Sequence, residues 1–229
     1  MKISVIIPCH NEEKNIAATL GAILAQTHPD FEVIVVNNAS NDRTVEIASQ
    51  FPVKVVTESR KGLLWARECG RMNACGDIIA NIDADCLPEP DWLMRGASRF
   101  KNVRVAAVSG PYDYYDAGPF FRYSSLFFQK YIYMFFSELF QLPFIRKGAT
   151  LIGGNNLIRA DILKKAGGYD TSILFYGEDT NTAKRVAAHG RVVFSPSVVM
   201  KTSARRFKEE GTFHLMGKYW YHFFKTIFS

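Results

Sequence analysis

Lys2-Ile3-Ser4-Val5-Ile6-Ile7-Pro8-Cys9-His10-Asn11-Glu12-Glu13 begins with a short apolar run, closes it with proline and passes into a polar cluster. Such a run reads as a strand buried on both faces. Asn11 reads as the N-cap of a helix, with Glu12 and Glu13 in its first turn and Ile16, Leu20, Ile23 and Leu24 at helical spacing. The alternation continues downstream. Strands are expected over residues 31–36, 53–57 and 77–82, and helices over 44–51 and 63–74. Short connections between alternating strands and helices favour a mostly parallel sheet, and right-handed crossovers place helices on both of its faces. The fold class is α/β.

The second half is less regular. A helix is expected over 92–100 and a strand over 103–109, followed by a long aromatic segment and a glycine-rich stretch over 148–156. A further helix over 178–188, a strand over 192–194 and a basic tail complete the chain. With 229 residues there is room for one large core, whereas two would be cramped. No repeat or linker interrupts the sequence, so residues 1–229 are expected to form one domain.

The composition is 48% hydrophobic and 22% charged, which suits a folded protein and excludes a disordered one. The formal charge is +6, much of it late in the chain at Lys201, Arg205, Arg206, Lys208, Lys218 and Lys225. A basic balance suits an anionic partner such as a nucleoside diphosphate, a nucleic acid or an acidic membrane surface. Cys9, Cys69, Cys75 and Cys86 form no C-x-x-C pair and have no histidine cluster beside them, so they read as small buried thiols in a reducing compartment. The beginning of the chain has no secretory pattern, and no uncharged apolar run is long enough to span a bilayer. The expected location is the cytoplasm, with the cytoplasmic face of a membrane left open.

In open α/β sheets, ligands bind beyond the carboxyl ends of the strands. Three expected strands end in polar groups: Pro8-Cys9-His10-Asn11-Glu12, Asn37-Asn38 and Asp83-Ala84-Asp85. All three ends fall on one rim. Two carboxylates straddling one residue can face one hard cation, and Mg²⁺ or Mn²⁺ binds through one or two carboxylates together with substrate phosphates. The plainer reading of Asp83-Ala84-Asp85 is a turn that starts the next helix. Its place after a buried strand favours the metal.

These pieces resemble the family 2 glycosyltransferases, inverting enzymes of the Rossmann-like GT-A fold. The resemblance rests on Val5-Ile6-Ile7-Pro8-x-x-Asn11-Glu12, on Val35-Val36-Asn37-Asn38-Ala39-Ser40-Asn41-Asp42-Arg43-Thr44, and on Ala66-Arg67-x-x-Gly70 leading through Gly76-Asp77-Ile78-Ile79 to Asp83-Ala84-Asp85. Gly153-Gly154-Asn155-Asn156, Gly167-Gly168-Tyr169-Asp170 and Gly177-Glu178-Asp179 follow in the family's order. It implies transfer of a sugar from a nucleotide-diphosphate sugar, UDP-linked in the first place and GDP-linked as the alternative, to a hydroxyl acceptor, with a divalent metal as cofactor. Pro8, Glu12, Asn37 and Asn38 would surround the nucleoside, and Arg67 would lie near the base or diphosphate. Asp83 and Asp85 would hold ribose and the metal-bridged diphosphate, and Gly154 and Asn155 would line the sugar and acceptor pocket. Asp179 would be the general base, with Glu178 beside it. Residues 1–110 would be the nucleotide-binding half, 111–200 the sugar and acceptor half, and 201–229 a tail helix.

The chemistry needs these residue types. The diphosphate leaving group gathers negative charge, which a metal or a basic side chain stabilises. The incoming hydroxyl must lose a proton to a carboxylate. Plain helix-start chemistry also accounts for Glu178-Asp179, since acids favour a helix N-terminus. Two departures stand out. Asn37 replaces the family's usual aspartate, which weakens the inference of a uracil base, because an amide both donates and accepts. The family's metal-ligating histidine is missing from Val198-Val199-Met200-Lys201-Thr202-Ser203, so Lys201, Arg205 or Arg206 would neutralise the diphosphate instead.

Two further segments are amphipathic. Phe128, Ile132, Phe135, Leu139 and Leu142 recur at helical spacing opposite Arg122, Gln129, Lys130, Ser137, Glu138 and Gln141, and would pack on the sheet. The surplus aromatics would serve a greasy acceptor pocket, a homodimer surface or a membrane face. In the tail, Leu215, Met216, Tyr219, Trp220, Phe223, Phe224 and Ile227 form a band opposite Lys218, His222 and Lys225, suited to docking on the domain, on a partner or in a lipid interface, where a lipid-linked acceptor would be met. Two other readings compete. A nucleotidyltransferase would need a glycine-rich basic loop where Cys9-His10-Asn11-Glu12 stands, and a nucleic-acid-binding module would need a basic, stacking-aromatic motif that is absent.

Overall fold

The computed structural model describes residues 1–140, 150–173 and 176–228. Gln141, Leu142 and Gly148, named above, lie outside them, as does the side chain of Phe224. In chain order the elements are β1 (Ile3–Cys9), α1 (Ile16–Leu24), β2 (Phe31–Asn37), α2 (Thr44–Ala48), β3 (Lys54–Thr57), α3 (Leu63–Asn73), β4 (Ile78–Ile82), β5 (Leu87–Pro88), α4 (Trp92–Arg99), β6 (Val105–Ser109) and β7 (Tyr112–Tyr114). There follow α5 (Pro119–Phe128), a π turn (Gln129–Tyr133), α6 (Met134–Phe140), β8 (Asn155–Arg159), α7 (Ala160–Lys165), α8 (Glu178–Ala187), β9 (Arg191–Phe194), β10 (Met200–Thr202), α9 (Arg205–Glu210) and α10 (Thr212–Phe228).

The main sheet has the order β3-β2-β1-β4-β8-β6-β9. All of its pairings are parallel except those of β8, which runs antiparallel to both β4 and β6. Side chains of a strand alternate between faces, and β1 shows the consequence. Ile3, Val5 and Ile7 join Ile16, Leu20 and Ile23 of α1 in one core layer, while Ile6 joins Leu64 and Ala66 of α3 and Val186 of α8 in the other. Helices therefore cover both faces, as the alternation requires. A small second sheet, β5-β10-β7, stands apart from the first.

Several details depart from the sequence reading. Asn11 is not an N-cap. It adopts a positive φ of 56°, and its side-chain oxygen accepts the Asn41 N–H at 2.9 Å, so α1 begins five residues later. Tying two rim loops together outweighs capping at this position. β8, α7 and β10 were not expected from the sequence; glycine-rich flanks and short lengths hide them. Cys75 is exposed rather than buried. Phe135, placed above on the inward stripe, is 61% exposed. The inner face carries Gln129 and Ser137 beside Phe128. Gln129 grips the backbone of Tyr112, accepting its N–H at 2.9 Å and donating to its carbonyl at 3.1 Å. The tail helix docks on the protein, with Leu215 and Ile227 buried and Trp220 edge-on to Phe128 and Tyr133. No helix among the described residues is long and apolar enough to cross a membrane.

Candidate active site

β1, β2 and β4 lie side by side, with Cys9 opposite Asn37 and Ile6 opposite Asn81. Their carboxyl ends release Glu12, Asn38 and Asp83 at one rim, as the sequence reading expected. From below, α3 raises a buried arginine, Arg67, against that rim. Arg67 Nη1 donates to Glu178 Oε1 at 2.9 Å, and Nη2 lies 3.4 Å from Asp83 Oδ1. The second oxygen of Asp83 accepts the Tyr112 hydroxyl at 3.1 Å. A buried guanidinium needs its charge balanced nearby. Burial opposes the charge on Arg67, but Glu178 and Asp83 outweigh it and hold the side chain more firmly protonated than free arginine. Two carboxylates face one cation, so one is in excess. Burial pushes Glu178 up to about 7 against the pull of Arg67.

The backbone of Gly153 and Gly154 closes over this network. A Cβ on Gly154 would lie 2.1 Å from Asp83 Oδ2 and 2.4 Å from the Tyr112 hydroxyl, and one on Gly153 would lie 2.8 Å from Glu178 Oε1. Any side chain there would displace the charged groups.

A second group sits beside the first. Arg205, from α9, places Nη2 2.9 Å from Glu12 Oε1 and 3.9 Å from Asp85 Oδ2. Burial first, then the neighbouring carboxylates of Asp83 and Glu12, push Asp85 up to about 6 despite Arg205. This recess holds more negative charge than Arg205 balances, and its donors are hard oxygens. Both features fit Mg²⁺ or Mn²⁺. Among the described residues no cluster of three or more ligating side chains could enclose an ion unaided, so substrate phosphates or water would complete its shell. A cleft of about 390 Å³ opens beside the recess, lined by residues that include Asn11, Lys14, Asn41, Asp42 and Arg205.

The family model described as Glycosyl transferase family 2 matches residues 4–167, which include the whole rim. The chain belongs to that family. It is 31% identical over 218 residues to the glycosyltransferase AglE of Haloferax volcanii, a match covering 90% of this chain and 68% of the relative. A dolichol-phosphate mannosyltransferase of Pyrococcus furiosus is 35% identical over 118 residues, covering 49% of this chain and 34% of the relative. Among solved structures, the mannosyltransferase PcManGT of Pyrobaculum calidifontis, in complex with GDP-Man and Mn²⁺, superposes with a TM-score of 0.73 at 26% identity, covering 99% of this chain and 64% of that one. The chain thus spans about two thirds of the length of the relatives that it matches end to end. Its mostly parallel sheet flanked by helices matches the GT-A fold of this family-2 structure.

The structure sorts the remaining family-2 positions. Asn37 stands half-buried at the rim and turns its Oδ1 to the Ser40 N–H at 3.0 Å. Pro8 is half-buried next to it on β1. Asn38 is buried and committed: its amide donates to the carbonyls of Glu58 and Arg60 and accepts the Gly62 N–H, so its side chain fixes the loop before α3. Asn155 is fully buried, donates to the carbonyls of Gly110, Pro111 and Val198 and accepts the Trp92 indole N–H, so it anchors the floor and does not line a pocket. Lys201 pairs with Glu89 at 2.5 Å, and Arg206 reaches Glu210 and the Tyr219 hydroxyl. Of the three basic candidates, only Arg205 reaches Asp85. Asp179 is half-buried, its Oδ1 accepts the Thr180 N–H at 2.7 Å, and burial raises its carboxyl. Its charge in turn adds to the burial that lifts the Tyr133 phenol to about 12. The sequence reading missed Tyr112 and Gln129. Tyr112 follows Gly110-Pro111 at the end of an expected strand, so the rule that found the other rim residues would have found it.

Proposed function

We propose that the chain catalyses inverting transfer of a sugar from a nucleotide-diphosphate sugar to an acceptor hydroxyl, with Asp179 as general base. The observation that carries this reading is the convergence of Asp83, Asp85, Glu12, Arg67 and Arg205 at one sheet rim, with Glu178-Asp179 at the start of α8 adjoining it through Arg67. The nucleoside would lie over Pro8, Glu12 and Asn37. UDP-sugars and GDP-sugars are both candidate donors, the latter supported by PcManGT. Asp85, with Asp83, would hold a divalent ion, which supplies charge stabilisation to the departing diphosphate. Arg205 supplies a second positive charge at the same place.

The protein's own groups divide the remaining work. Arg67 fixes Asp83 and Glu178, and Gly153-Gly154 lets the donor sugar approach them. Asp179 accepts the acceptor proton; burial raises its affinity for protons, which strengthens it as a base. Glu178, bound to Arg67, positions Asp179 by anchoring the first turn of α8. Residues 1–110 would thus bind the nucleotide, and 111–200 the sugar and acceptor. The match to a dolichol-phosphate mannosyltransferase favours a lipid-linked acceptor, met at the cytoplasmic face of a membrane.

The test is donor hydrolysis and thermal protection by a panel of UDP-, GDP- and dTDP-sugars with Mn²⁺. One donor should be consumed and should raise the melting temperature. A chain that neither binds nor consumes any of them contradicts the proposal.

A further inference from the structure

α5, the π turn and α6 form one rod that packs Phe121, Phe128 and Tyr133 inward and still leaves a second aromatic stripe outside. In a helix packed on a globular core, the apolar stripe faces inward and polar residues face water. Here α5 contributes no buried residue, and the buried positions further along are Gln129 and Ser137. The outer face carries Phe120, Tyr123, Phe127, Tyr131 and Phe135, with exposures from 55% at Tyr131 to 89% at Phe120. A spacing of four drifts by about 40° per step around an α-helix. The π turn is wound wider and takes part of that drift back, which keeps Phe127, Tyr131 and Phe135 in line.

The charges on this rod lean one way. It carries Arg122 and Lys130 against Glu138 near its end; Arg122 pairs with Asp113 and Glu138 with Arg191, which leaves Lys130 as the charge beside the stripe. α10, which packs against the rod through Trp220, carries Lys218 and Lys225 and no carboxylate, and it exposes Phe213 and Tyr221. Exposed phenylalanine and tyrosine beside Lys130 and Lys225, with an excess of cations over anions, complement an anionic, amphipathic surface. Tyrosine suits the headgroup boundary because its ring is apolar and its hydroxyl stays wet.

The geometry points to a lipid-docking face: the aromatic stripe Phe120-Tyr123-Phe127-Tyr131-Phe135 rests on the surface of an anionic bilayer. This rests on the proposed function and deepens it by specifying how a lipid-linked acceptor is met. The docking rod is tied to the site, since Gln129 holds the backbone of Tyr112 and the Tyr112 hydroxyl holds Asp83. α10 links the same rod to the start of α8, which carries Asp179, since Trp220 packs on Tyr133 and Thr226 lies against Gly177.

Co-sedimentation at low ionic strength tests it, with vesicles of phosphatidylcholine alone and of phosphatidylcholine mixed with phosphatidylglycerol. The chain should sediment with the mixed vesicles, and Phe127→Ser/Tyr131→Ser/Phe135→Ser should lower its partition at least about tenfold. Nucleotide-sugar thermal protection of that variant should stay as in the parent. This separates loss of docking from failure of the proposed function, which would remove protection from both. Should the triple variant not fold, a single Phe127→Trp reports instead: its added fluorescence should be quenched by brominated lipid in mixed vesicles. The inference is overturned if the parent ignores anionic vesicles, if the triple variant binds them equally well, or if the Phe127→Trp signal is insensitive to brominated lipid. A parent that is dimeric and becomes monomeric in the triple variant, without vesicle binding, would assign the stripe to a second copy of the chain.

Discussion

At the residue scale, the site depends on how few cations serve how many carboxylates. Asp179 is needed only to remove a proton, so Asp179→Asn should keep nucleotide-sugar affinity and lose turnover by roughly 10²–10⁴-fold. Calorimetry with donor alone, beside a transfer assay, separates the two; equal loss of both would make Asp179 structural. Glu178 leaves a different signature. Its ordinary carboxyl range lies near 4.5, and burial lifts it to about 7 in the folded protein. Between those values the folded chain retains a proton that the unfolded chain has released. Its contribution to stability is therefore fully present below about pH 4.5 and is lost as pH rises to about 7. Glu178→Gln, melted in metal-free buffer across this range, should show a flatter dependence on pH than the parent. An unchanged slope would mean that Glu178 is ionised throughout. The sequence made the identities at this scale legible but not their commitments. Asp83, Asp85, Glu12 and Arg67 followed from strand ends and motif order. That Asn38 and Asn155 spend their amides on backbone carbonyls depends on which loops the fold brings near, and no local pattern records it. Arg205 was one of three basic candidates, and only the turn after β10 singles it out.

At the element scale, the glycine pair before β8 decides whether the rim can close. Gly154→Ala would drive a methyl into Asp83 and the Tyr112 hydroxyl. Turnover should fall by about 10²-fold, as expected for a misplacement of about 1 Å at a reacting centre. The melting temperature should fall as well, since Asp83 would be pushed off the buried Arg67 guanidinium. Wild-type turnover in this variant would show that the strand backs away without cost. The same stretch shows where element prediction failed. Residues 2–8, 31–36 and 77–82 were legible as strands because each is a largely apolar run. β8 begins Asn155-Asn156 after two glycines, and its apolar part is short. Its strand character comes from being wedged between β4 and β6. The aromatic rod misled for a related reason: periodicity identified a helix and an apolar stripe, but not which face turns outward, nor the π turn that alters the phase.

At the scale of the whole molecule, the tail is part of the structure that holds the site. Leu215 and Ile227 are buried, and α10 abuts the start of α8, where a Cβ on Gly177 would meet the Thr226 hydroxyl at 2.8 Å. Burying two such side chains contributes on the order of 3–6 kcal/mol, a large share of typical domain stability. Truncation after Glu210 should therefore lower the melting temperature by at least about 6 °C, and a truncated chain as stable as the parent would show that α10 is an appendage. The candidate site has the same long-range construction, because Arg205 of α9 meets Glu12 beyond the end of β1. Donor consumption in the presence and absence of Mn²⁺, by the parent and by Asp85→Asn, tests this assembly most directly. The parent should consume a UDP- or GDP-sugar faster with the metal, and Asp85→Asn should lose most of the metal-stimulated rate while remaining folded. An Asp85→Asn chain that consumes donor at the parental, metal-stimulated rate would contradict the assignment of the recess as the donor site.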